Sequence, residues 1–104
     1  MRWLAVCLVA LVVLAACYPG GPPDDATGEE IYAEQCARCH GEELGGRVVG
    51  PSLRAGSEAA KESDEFLEFT IMNGRGRMPS FSSTLDAAQI DRVITYIREV
   101  QNDA

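Results

Sequence analysis

Cys36-Ala37-Arg38-Cys39-His40 sets two thiols one helical turn apart and places an imidazole directly behind the second. This is the spacing by which a chain attaches a haem of the c type. Each thiol can add across one vinyl group on the same edge of a porphyrin, and His40 is then held under the ring with a nitrogen aimed at the iron. Two other chemistries use the same residues. A thioredoxin-like dithiol wants a strand-helix setting, and no stretch of this chain reads as a strand. A zinc site needs four N or S donors, and with His40 the only histidine the count stops at three unless a distant carboxylate joins.

The other two cysteines are accounted for near the start of the chain. Trp3 to Ala16 is an apolar run of fourteen residues without a charge. It falls short of the roughly 20 residues a membrane span takes and suits the apolar core of a signal peptide. It ends in Leu14-Ala15-Ala16-Cys17, which resembles the lipobox of bacterial lipoproteins. On that reading residues 1–16 are a signal peptide that takes Cys7 with it, Cys17 is the lipidated residue, and the mature protein is extracytoplasmic. Cys36 and Cys39 are then the only thiols left, in a compartment where free thiols are uncommon. Haem uses both.

Removal of the first 16 of the 104 residues leaves 88, with eight basic and sixteen acidic residues and a formal charge of -8. Nucleic acid is therefore excluded as a partner, and a protein partner steered by charge should offer a basic docking face. A domain this short has a modest core of its own, and an apolar cofactor at its centre would supply burial that side chains alone do not.

Between the signal and the domain, Tyr18 to Ala26 holds three prolines and two glycines in nine residues, so 17–26 reads as a lipid-anchored flexible linker. Fully extended, those nine residues reach about 30 Å at ~3.3 Å per residue. The domain follows over 27–104. Thr27-Gly-Glu-Glu30 matches a capping box and opens a helix to about Arg38. Gly28 within it costs about 1 kcal/mol against Ala, a cost that makes sense if another helix approaches closely there.

From Gly41 to Glu62 neither helical nor strand periodicity holds. This reads as a loop wrapped on something, with a helical turn near Ser57–Ala60. Ser63 caps a second helix over 64–72, with Phe66, Phe69 and either Leu67 or Thr70 as its buried side and Asn73-Gly74 as its stop. Asp86 and Gln89 form a second capping box, flanked by Leu85 and Ile90 as a hydrophobic staple. Ile90, Val93, Ile94 and Ile97 then carry an apolar stripe to about Val100, with Tyr96 at its edge. The class is all-α, with three to four helices and long loops wrapped around one haem.

The second axial position of a haem iron falls to Met72 or Met78, because Met1 leaves with the signal and there is no second histidine. Met72 ends a helix, where a methionine is usually core filler. Met78 sits in a glycine-rich loop before Pro79, which lets the backbone approach the ring, so Met78 is the expected ligand and Met72 packing. Arg75 and Arg77 flank it, suited to haem propionates, to a basic spot at a docking edge, or simply to solvent.

Gly28 and Tyr32, the Cys36–His40 motif, Gly50-Pro-Ser-Leu53, Gly76-Arg-Met-Pro79 and Tyr96 occur in the order found in class I c-type cytochromes, and the chain resembles the small monohaem lipoprotein cytochromes c of bacteria. The resemblance implies thioethers at Cys36 and Cys39, His40 and Met78 as iron ligands, and the Pro51 carbonyl as acceptor for the second imidazole N–H. It implies a monomeric one-electron carrier rather than an enzyme, working between respiratory or photosynthetic partners and tethered to a membrane. The contrasting function is a ligand sensor or peroxidase-like protein with a labile Met ligand. A third reading is a fixed subunit of a larger oxidase.

Overall fold

The computed structural model describes residues 21–103. The apolar run, Cys7, Cys17 and residues 18–20 lie outside the described residues. Four short and two longer helical segments follow one another, and the only β pairing among the described residues is a pair of isolated bridges, Arg47 with Gly50 and Arg75 with Met78.

The first helix begins where its cap places it. The Thr27 hydroxyl oxygen accepts the Glu30 N–H at 3.1 Å, and the Glu30 carboxylate accepts the Thr27 hydroxyl rather than closing the box on its amide. Gly28–Ile31 (α1) is α-helical, but the expected single helix does not continue. Tyr32–Cys36 is a π-helical turn in which the Ala37 N–H reaches back five residues to the Tyr32 carbonyl, and Ala37–His40 (α2) then resumes. One residue more per turn sets everything beyond it back by about 100°, the rotation of a single α-helical residue. Tyr32 is thereby buried against the last helix while Cys36 and Cys39 emerge half-buried on another side.

Glu58–Lys61 (α3) is the short turn expected near Ser57, whose hydroxyl caps it at the Ala60 N–H. Asp64–Asn73 (α4) starts on the Ser63 cap and stops at Gly74, at φ 76°. Its buried face differs from the expected one. Ile71 is buried and Leu67 packs on the core, whereas Phe69 is 66% exposed and Met72 39%. Met72 is therefore a surface residue and not core filler. It lies one position past Ile71, which on a helix is about 100° round from the buried stripe.

Ala87–Asn102 (α5) carries the centre of the core: Ile90, Val93, Ile94 and Ile97 are all buried. Its capping box closes reciprocally, the Asp86 carboxylate accepting the Gln89 N–H and the Gln89 carbonyl oxygen accepting the Asp86 N–H, each at 2.8 Å. Arg98 pins α4 to it, donating to the Asp64 carboxylate at 2.8 Å and to the Glu62 carbonyl at 2.5 Å.

α1 crosses α5 at Gly28. A Cβ there would lie 2.1 Å from the Arg92 carbonyl oxygen and 3.0 Å from the Tyr96 Cβ, so the helices meet backbone to backbone. The rings of Tyr32 and Tyr96 pack beside that point with centroids 5.6 Å apart.

Residues 21–26, the described part of the segment read as a linker, lie against the domain. Pro22 and Ala26 are buried. The Gln89 side-chain amide donates to the carbonyls of Pro22 and Pro23 at 3.3 and 3.2 Å, and Arg92 donates to that of Asp24 at 2.7 Å. The segment thus lies along the N-terminal half of α5.

Candidate functional site

Local chemistry holds the Cys36–His40 segment in place from several sides. The Tyr32 hydroxyl donates to the Gly41 carbonyl at 2.6 Å, the Gly46 N–H to the His40 carbonyl at 2.7 Å, and the Arg47 guanidinium to the Arg38 carbonyl at 3.0 Å. Gly50 lies directly on Cys39: a Cβ there would come within 2.5 Å of the Cys39 carbonyl oxygen. Leu44 is fully buried in a left-handed conformation, φ 62°, and its carbonyl gathers the Leu53 N–H at 2.8 Å and the Ser52 hydroxyl at 3.2 Å. The long loop is therefore folded against the motif.

The Pro51 carbonyl is 2.8 Å from Nδ1 of His40. A carbonyl only accepts, so Nδ1 carries the proton and Nε2 keeps its lone pair for a metal. Burial, with the neighbouring Cys39 thiol adding to it, pushes the Cys36 thiol up to about 12. A thiol so raised stays protonated and is slow to oxidise, since the thiolate is the reactive form.

Met78 lies across the fold in the turn closed by Arg75 and Met78, whose backbones exchange bonds of 3.0 and 2.9 Å. It is half-buried and packs on the same core cluster as Cys36, Leu53 and Phe81, while Met72 turns outward. Cys17 lies outside the described residues. Among them, no group of three or more His, Cys, Asp or Glu side chains could hold a metal ion. The donor set suits haem: two half-buried thiols three residues apart, an imidazole with one nitrogen free, and a thioether on the same core.

Three contributors were not evident in the sequence. Tyr32 reads there as packing alone, yet its hydroxyl braces the residue after His40. Gln101, buried on α5, donates to the Leu53 carbonyl at 2.7 Å and ties the loop to the last helix. Arg47 reaches back to the motif itself. None has a sequence signal, because each partner is a backbone carbonyl that any residue supplies.

Tyr32→Phe is expected to cost about 1 kcal/mol, the typical net worth of one hydrogen bond, because the acceptor at Gly41 is only partly buried. Burial first, then the Cys36 thiol and Tyr96, raises the Tyr32 phenol well above its usual range. A raised phenol favours the neutral folded form. Its contribution is complete below the unfolded value near pH 10 and is lost as pH rises beyond that. Denaturant melts at pH 7 and above pH 10 check both points: Tyr32→Phe should be weaker at pH 7 and lose less stability on going alkaline.

A family model described as cytochrome C oxidase, cbb3-type, subunit III matches residues 23–97. Cytochrome c6 of Picosynechococcus sp. is 31% identical over 106 residues, spanning 88% of this chain and 89% of that protein. Cytochrome c-551 of Bacillus subtilis is 36% identical over 80 residues, spanning 65% of this chain and 69% of that one. Among solved structures, cytochrome cL from Hyphomicrobium denitrificans superposes with a TM-score of 0.64 at 35% identity, over 71% of this chain and 45% of the other.

Proposed function

This chain belongs to the cytochrome c family, and from that premise we propose a membrane-tethered carrier whose iron is closed by His40 on one side and Met78 on the other. It is a small electron-carrying cytochrome c with one covalent haem c, and not an enzyme. Cys36 and Cys39 hold the group, which supplies a one-electron iron couple.

The observation that carries the ligand role of His40 is its 2.8 Å bond to the Pro51 carbonyl, and closure of the other side rests on Met78. The bond fixes the imidazole plane and makes the free nitrogen a stronger donor. Met78, on the same core, offers a thioether that favours reduced iron and raises the potential. With both positions taken, a substrate reaches the iron only by displacing a protein ligand. Electron transfer requires no such opening.

Lipid on Cys17 would hold the domain at the outer face of a bacterial membrane. The run before Cys17 supports this, and no helix among the described residues is long and apolar enough to cross a membrane. Partners would then be membrane redox complexes with a basic docking face. The oxidase subunit in the family model's description supports a terminal oxidase among them.

Carbon monoxide tests the closed site. The reduced holoprotein is expected to leave its spectrum unchanged under carbon monoxide. Rapid binding would point to an open or labile site of the sensor or peroxidase kind.

A further inference from the structure

We propose that the end of the domain carrying Phe69, Met72, Arg75 and Arg77 faces the lipid surface, so that the cytochrome sits on its membrane in one orientation. This rests on the reading of Cys17 as the anchor.

Phe69 and Met72 lie three residues apart on the outer face of α4 and are the most exposed large apolar side chains on any helix here. Phe66, three residues before Phe69, continues the stripe half-buried, with the Arg75 guanidinium 5.6 Å above its ring. Side chains three apart on a helix are neighbours. Arg77 is exposed two residues on, and neither arginine takes part in a salt bridge among the described residues. From Asn73 to Leu85 the chain has these two arginines and no acidic residue, in a protein whose formal charge is otherwise strongly negative. Glu65 and Glu68 stand four residues before Phe69 and Met72 and border the apolar pair on the side away from the arginines. Apolar side chains beside arginines at one end make the combination that sits in a lipid interface.

What selects lipid over another protein is where the tether leaves. With Pro22 to Ala26 clamped on α5, the described chain ends at Gly21. Gly21 lies against Thr84, whose carbonyl oxygen would be 2.7 Å from a Cβ placed there. Thr84 closes the turn from Phe81, bonding its carbonyl at 3.0 Å, and the Phe81 N–H bonds the Ile71 carbonyl on α4 at 2.9 Å. The Ser80 hydroxyl donates to the Met72 carbonyl itself. The exit and the apolar pair are thus at the same end of the molecule. Gly21 is four Cα steps from Cys17, a span of at most about 14 Å. A lipid on Cys17 therefore holds this end, and not the opposite one, at the headgroups.

The test uses the full-length holoprotein in isolated membranes, with a photoreactive benzoylphenylalanine replacing Phe69 or, as control, Val48, which is fully exposed on the loop beside Arg47. Several-fold more lipid adduct from position 69 than from 48 is expected. Fractionation with Cys17→Ser runs in parallel and should release the cytochrome. Equal lipid labelling while the protein stays in the membrane fraction overturns the orientation and leaves the anchor standing, as does a protein adduct replacing the lipid adduct at 69. Recovery of the unsubstituted protein in the soluble fraction overturns anchor and orientation together.

Discussion

Met78→Ala is expected to abolish the weak absorption band of sulfur-ligated ferric haem, to let the reduced protein bind carbon monoxide, and to lower the potential by on the order of 100 mV. The thioether is the neutral donor that favours the reduced iron. Alanine leaves a position to be filled by water or an added ligand. Stability should fall less than for a fully buried methionine, because Met78 is only half-buried. Met72→Ala is the informative companion. Met72 is 39% exposed on the outer face of α4, so its loss should fall within about 0.5 kcal/mol and leave the spectrum alone. If Met72→Ala alone removes the band, the ligand assignment fails.

Gly28→Ala should produce the largest loss of stability of any conservative change in the chain. On propensity alone alanine would help by about 1 kcal/mol. The added methyl, however, would sit 2.1 Å from the Arg92 carbonyl oxygen, which is backbone and cannot rotate away. The helices must separate, and Tyr32, Tyr96 and Ile31 lose their packing with them. Overpacking costs about 1–3 kcal/mol and occasionally more, and a backbone obstacle puts this site at the upper end of that range, which outweighs the propensity gain. A thermal melt of the holoprotein should show Tm falling by roughly 10–20 °C at this chain length. An unchanged Tm would mean that the crossing is looser than the structure has it.

Both substitutions fall on residues whose meaning the sequence carries. Gly28, Thr27, Asp86, Gln89 and the Ile90 to Ile97 stripe identify two helices and their crossing, because caps and periodicity are local and the structure uses them locally. Cys36 to His40 is legible for the same reason. The face of α4 is not. Phe66 and Phe69 are the bulkier pair and their size puts them inside on sequence alone, but the position of α5 selects Ile71 together with Leu67. The π-turn leaves no trace in Tyr32 to Cys36, whose residues read as an ordinary continuation of the helix. The docking of Pro22 to Ala26 was equally hidden. A proline-glycine run reads as a linker, and the group that holds it, the Gln89 amide, lies 67 positions away and already has a role as a cap.

The meeting of the first and last helices also sets an order in time. A chain made from its N-terminus presents Tyr32, Cys36, Cys39 and His40 early, while the helix that buries Ile31 and Tyr32 ends only at Asn102. Until that helix docks, the two thiols belong to an open chain. α5 can close over α1 only once the whole domain is present, so the packing around Ile31 and Tyr32 is completed by the last helix of the chain.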